Sequence, residues 1–134
     1  MNKAEAEQYL QTHKQGVLAT IRKDGRPQLS NVLFVYEGEK IAVSITETRA
    51  KYHNLVRDPR ATLLVLGENF YQYLVVDGTA SFAHLPEARE PLRRYYELAT
   101  GGPHANWDEY DEAMARERRV LLTISVENLY PVSA

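Results

Sequence analysis

The chain has 134 residues, 44% of them apolar and 25% charged, and a formal net charge of -2 from 16 Lys+Arg against 18 Asp+Glu. That is the length of one ordinary domain and the composition of a folded globular protein, and the slight acidity argues against a phosphate-tracking nucleic-acid binder. Cysteine is absent, which excludes disulfides, a thiolate nucleophile, Cys-ligated zinc and iron–sulfur clusters, and fits a reducing compartment.

The first residues, MNKAEAEQYLQTHK, are charged and amphipathic and lack the apolar core of a signal peptide. No window approaches the ~18 apolar residues that span a bilayer. The expectation is a single cytoplasmic domain over residues 1–134 with neither a membrane nor a nucleic-acid partner. A short helix is predicted from about Ala4 to His13, with Ala4, Tyr9 and Leu10 as its apolar stripe. Residues 16–21 (GVLATI) read as a strand that stops at Lys23-Asp24-Gly25-Arg26. Asp-Gly between two apolar runs signals a hairpin in which both central residues take φ > 0. Residues 27–36 would return, and after the Glu37-Gly38-Glu39 turn residues 41–45 would add a third strand, making a meander.

Residues 49–57 break the β pattern. Tyr52, Leu55 and Val56 share one helical side and Arg49, His53 and Arg57 another, and Asp58-Pro59 ends the helix. Residues 61–66 are apolar on both faces, as in a central strand. Residues 71–82 read as a long strand with a bulge or bend at Gly78. Helices are predicted over 86–99 and 107–116, the second with Asn106 and Glu109 in a loose capping box, before a last strand over 119–126. Six antiparallel strands with helices between them define an α+β, mainly β, protein on a small closed or half-closed barrel.

Familiar catalytic signatures are missing. The glycines form neither a dinucleotide-binding fingerprint nor a phosphate-binding P-loop, and no serine sits in a nucleophile elbow. His13, His53, His84 and His104 lack metal-ligand spacing, and the Asp108/Glu109 and Asp111/Glu112 pairs suit a helix N-terminus better than acid–base work. No metal site and no catalytic side chain are therefore expected.

The unusual stretch is Ser44 to Lys51. Arg49 and Lys51 occupy the first turn of a predicted helix, where positive charge costs on the order of 0.3–1 kcal/mol unless an anion is present. Open helix amides, nearby hydroxyls and two cations make a phosphate cradle; the plainer alternative is that both cations point into solvent. Between Ile45 and Arg60 the charges are Arg49, Lys51, Arg57 and Arg60 against Glu47 and Asp58, a local excess of +2 inside an acidic chain. In the 27–36 strand the pair Ser30-Asn31 interrupts an apolar run, either to bond a neighbouring loop or to face a polar planar ligand. Tyr71 and Tyr73, as alternate residues of a strand, could flank such a ring or simply pack.

Residues 16–21, 24–32 (DGRPQLSNV), Arg49-Ala50-Lys51 with Asn54-Leu55, 57–61 (RDPRA), and Trp107-Asp-Glu-Tyr110 with 119–123 (RVLLT) stand in an order and spacing that is specific in combination. Together they closely resemble the pyridoxamine-phosphate-oxidase-like split β-barrel proteins, and within them the branch dependent on the deazaflavin coenzyme F420. The resemblance implies a six-stranded antiparallel split barrel with short flanking helices, and a homodimer with its cofactor sites at the interface. It implies that Arg49, Ala50 and Lys51 hold the cofactor phosphate with Ser44 or Thr46, and that Gln28, Ser30, Asn31 and Val32 line the ring. Asn54 would lie near the ribityl chain, and Tyr71 and Tyr73 would reach the partner's site; Tyr71 stands where some relatives carry Trp. The implied activity is hydride transfer from reduced coenzyme F420 to a small conjugated organic molecule. FMN is the alternative cofactor, and a non-enzymatic flavin or deazaflavin carrier the alternative role. The extra carboxylates of the F420 tail would favour Arg57, Arg60 and His53 as further contacts. Residues 67–70 and 100–106 are expected to shape the open side of the site.

Overall fold

The computed structural model describes residues 1–132. In chain order the elements are α1 (Lys3–Thr12), β1 (Gln15–Ile21), β2 (Pro27–Leu33), β3 (Val35–Glu37), β4 (Lys40–Thr46), α2 (Ala50–Arg57), β5 (Arg60–Leu66), β6 (Tyr73–Ala83), α3 (Arg89–Thr100), α4 (Trp107–Arg116), β7 (Arg119–Ser125) and β8 (Asn128–Tyr130). The strands make one antiparallel sheet in the order β2-β1-β5-β6-β7-β4-β3, with β8 beside β6. The sheet curls without closing. Its end strand β2 comes up against β4, yet no ladder joins the two, which leaves a split in the barrel.

The long strand β6 makes this curl possible. From Tyr73 to Thr79 it pairs with β5, and from Ala80 to Ala83 with β7. Gly78 lies just before the change of partner, where an added Cβ would stand 1.7 Å from the Ser125 carbonyl oxygen. Only a residue without a side chain permits that approach, while the β5 pairing runs through Gly78 in regular register with no bulge. Strand alternation then sends Leu18, Val43, Ile45, Leu63, Val65, Val76, Leu122 and Ile124 into one core, closed by Leu10 of α1 and Leu55 of α2. A smaller core, Ala88, Leu92, Tyr110 and Leu121, holds α3 and α4 against the outside of β7.

Eight strands form where six were expected. The 27–36 run is two strands, β2 ending at Leu33 and β3 beginning at Val35, with the fully buried Phe34 between them. Burial of that ring outweighs continuation of the strand. β3 then pairs with β4 at the far end of the sheet, so β1, β2 and β4 do not form a meander. The eighth strand, three residues long, carries too little pattern to be read locally. In the β1–β2 turn only Gly25 takes positive φ, and the Arg22 amide donates to the Arg26 carbonyl across a three-residue loop. The turn is therefore longer than the tight hairpin expected, with Asp24 accepting from the Arg26 amide. α3 begins at Arg89 instead of residue 86, because the Ala88 amide bonds the His84 carbonyl in a preceding turn. Asn106 does cap α4, accepting from the Glu109 amide, but its own amide donates to His104 Nδ1, so the reciprocal half of the box is absent.

Candidate functional site

The split between β2 and β4 is a cleft of about 400 Å³. Ser30, Asn31, Val32 and Leu33 of β2 form one lip and Val43 to Thr46 of β4 the other. Beyond Ala42 strand β4 has β7 on one side only, so its second edge faces the cleft. Arg49 and Lys51 stand at one end and Tyr95 of α3 at the other. Ser30, Asn31, Val32, Ser44, Thr46, Arg49 and Lys51, chosen from sequence, thus come together from three separate elements.

Arg49 is the N-cap of α2, and no side chain caps that helix or places an acid in its first turn. The first amides of a helix have no intrahelical acceptor, so the dipole's positive end is left uncompensated. Lys51 is half-buried, and its Nζ lies 3.4 Å from Ser30 Oγ. Its pKa is pushed down by burial first, then by the charges of Arg49 and Arg119. Among the described residues neither Arg49 nor Lys51 has an acidic partner within ion-pair distance. A bound anion would relieve this repulsion, so the residues present fit a phosphate group.

The cleft wraps around β2, because adjacent residues of a strand face opposite ways. Ser30, opposite Leu18, faces inward with Lys51; Asn31, opposite Val17, is on the outer face and exposed. A second depression of about 360 Å³, lined by Gln15, Gly16, Leu66 and again Asn31, Val32 and Leu33, continues the cleft on that outer face. The outer face is unusually apolar: Leu29 is 64% exposed, and Leu33, Leu66 and Tyr73 are exposed beside half-buried Val17 and Leu64.

Other expected ligands lie elsewhere or are already engaged. Asn54 is buried, and its Nδ2 donates to Thr20 Oγ1 at 3.1 Å and Gln28 Oε1 at 2.8 Å while its Oδ1 accepts from Arg57 at 3.0 Å. Asn54 and Gln28 therefore fasten α2 to the β1–β2 hairpin and do not line the cleft. Ala50 contributes its place in the first helical turn. Tyr71 is not in a strand: it sits 85% exposed in the β5–β6 loop, edge-on to the 89% exposed Phe70. Tyr73 opens β6 and faces outward, so the two tyrosines do not flank one ring within this chain. Arg60 is held by Asp58, whose carboxyl is pulled down to about 2 by that guanidinium, and Arg57 bonds the Ile21 carbonyl. His53 stays exposed on α2.

Tyr95 lines the cleft and Arg119 stands beside it, and neither is among the candidate ligands read from the sequence. Tyr95 donates its hydroxyl to the Leu33 carbonyl at 2.7 Å, and burial raises its pKa. Arg119, at the start of β7 opposite Thr46, bonds the Ser44 carbonyl. Neither is recognisable before β7 and α3 are docked beside β4. Among the described residues no three His, Asp or Glu side chains converge on a metal-sized site, and no helix is long and apolar enough to cross a membrane.

The family model described as pyridoxamine 5'-phosphate oxidase matches residues 3–133. The chain belongs to this family. Among solved structures, a conserved hypothetical protein from Mycobacterium tuberculosis is 26% identical, with TM-score 0.79 over 96% of this chain and 82% of that one. An F420 reductase is also 26% identical, with TM-score 0.71 over 92% of this chain and 94% of its own. A heme storage protein from Vibrio cholerae, 21% identical with TM-score 0.68 over 97% and 94%, shares the fold. In this chain the split of the barrel carries the cleft lined by Ser30, Ser44, Thr46, Arg49 and Lys51.

Proposed function

We propose that this protein is a coenzyme F420-dependent oxidoreductase that reduces a small conjugated organic substrate in the cytoplasm, as a homodimer with its cofactor sites at the interface. The observation that carries the reading is the cleft at the split, where Arg49, half-buried Lys51 and an uncapped helix converge without an acidic counter-charge. Arg49, the amides of Ala50 and Lys51, and the hydroxyls of Ser44 and Thr46 would hold the phosphate, and Ser30, Asn31 and Val32 would lie along the ring. Similarity to an F420 reductase supports the deazaflavin over other flavins. When bound, a reduced deazaflavin supplies the hydride itself, so the residues of this chain need only bind, orient and exclude water. The apolar outer face of β1, β2 and β5 runs on from the cleft, and a second copy laid there would bury Leu29, Leu33 and Leu66 and wall the site. Tyr71 and Phe70, extended into solvent, would be its reach toward the partner's cleft.

FMN in the same cleft is the second reading, and one observation favours it. Arg60 and Arg57, which an F420 tail would recruit, are committed to Asp58 and to Ile21 and Asn54. Competitive titration of coenzyme F420 against FMN decides the cofactor, and preference for FMN overturns the first choice. Reoxidation of the reduced coenzyme by a panel of enones, quinones and tetrapyrroles then tests turnover; tight binding with no turnover identifies a carrier. Sedimentation of the unaltered protein and of Leu29→Asp tests the dimer, and a monomeric native protein at micromolar concentration rejects it.

A further inference from the structure

We propose that Arg119 is a third arm of the phosphate cradle and that Glu117 is an internal anion that mutes it, an inference that rests on the cleft being the cofactor site. Arg119 enters from β7, the strand paired with β4 along its whole length, and stands in register with Thr46 at the cleft lip. Its Nη1 lies 3.3 Å from the Ser44 carbonyl oxygen, which ties the guanidinium to a residue lining the cleft. Its other side is engaged by Glu117, with Nε and Nη2 each 3.0 Å from Oε1. Arg119 and Arg49 thus both act on the half-buried Lys51 amine, and Glu117 supplies the single carboxylate bonded to any of the three among the described residues. Lys51 registers the Arg119 charge, as does Tyr95 at the other end of the cleft.

The chemistry follows from the shape of the guanidinium. Arginine presents five donors in a planar fork, and here two are used in hydrogen bonds to Ser44 and Glu117. Three N–H groups remain for phosphate oxygens. Both carboxylate and guanidinium are partly open to solvent, so exchange of one oxyanion for another needs no rearrangement of the core. Loss of a charge-assisted bond to phosphate weakens binding about tenfold, and removing a competing carboxylate strengthens it by a smaller factor of about three.

The test measures Kd for FMN, coenzyme F420 and inorganic phosphate by calorimetry or by cofactor fluorescence, in the native chain, Arg119→Gln and Glu117→Gln. Arg119→Gln is expected to weaken all three about tenfold, and Glu117→Gln to tighten them about threefold, with both effects shrinking at high salt. A purely structural ion pair would move both variants in the same direction, so opposite signs are the mark of this arrangement. Equal affinity of Arg119→Gln and the native chain overturns the proposal while leaving the cofactor site standing. A native chain that binds none of the three ligands instead overturns the functional reading beneath it. Arg119→Lys, which keeps the charge and loses the fork, serves if the Gln variant does not fold; it is expected to lose affinity for phosphate, and unchanged affinity counts against the assignment.

Discussion

Asn54→Ala tests how the cleft is held in place. Asn54 is 6% exposed and joins α2 to both strands of the first hairpin through Thr20 and Gln28. Gln28 and Arg57 are accessible enough to turn to water when the amide is removed, so each loses about 0.5–1 kcal/mol at most. Thr20 cannot. The residue is 1% exposed, and leaving its hydroxyl unpaired costs about 1–3 kcal/mol. The expected loss is about 2–5 kcal/mol, read from urea unfolding midpoints at unchanged m-value. Thr20→Val with Asn54→Ala removes both ends of the contact, so the double variant should fall short of the summed single losses by about 1–2 kcal/mol. Phosphate affinity should drop as well, because Arg49 and Lys51 ride on the helix that Asn54 fixes. A loss under about 1 kcal/mol, or strict additivity with Thr20→Val, would refute the claim that this amide is what anchors α2.

Lys51→Met is expected to weaken phosphate binding at least about tenfold while raising Tm. Burial and two neighbouring cations disfavour the charged amine in the folded chain, so its charge costs stability at pH below its lowered pKa, and that cost fades as pH rises toward the ordinary lysine value. A fall in Tm at pH 7 contradicts this. Gly78→Ala should cost more than about 4 kcal/mol or prevent folding, since its methyl would overlap the Ser125 carbonyl, and a normal thermal melt would show that β6 does not cross there. The Asp58 carboxyl should titrate near pH 2 by NMR and return to the usual carboxylate range in Arg60→Gln; its contribution to stability is intact above about pH 4 and lost as pH falls toward 2. An Asp58 midpoint already near 4 in the native chain removes the ion pair from the account.

The cleft was readable in part because its cations break a local rule. Positive charge in the first turn of α2, and polar Ser30-Asn31 in an apolar strand, are unfavourable unless something else is nearby, and such conflicts show in one dimension. Asn54 is ambiguous for a related reason: a polar residue on a helix suits ligand or neighbour equally until the neighbours, here Thr20, Gln28 and Arg57, are known. Arg60 looked like a spare cation because its pairing with Asp58 depends on the backbone geometry after Pro59. Tyr71 and Tyr73 have strand spacing, yet Asn69 bends the chain by accepting from the amides of Tyr71 and Gln72, so only Tyr73 enters β6.

Charge, the absence of cysteine and the alternation of apolar residues were enough for a mainly β fold with a local excess of positive charge. Those properties depend on composition and on contacts within a few residues, where side-chain period and turn chemistry act directly. What only the tertiary structure decided is which strands meet and which do not. Phe34 divides one apolar run between two ends of the sheet, Gly78 lets a single strand serve two partners, and β2 stops short of pairing with β4. The site is the gap those choices leave. Arg49, Lys51, Ser30 and Ser44 meet there through pairings between distant segments, and such pairings are set by core burial across the whole barrel, not by any one stretch of the chain.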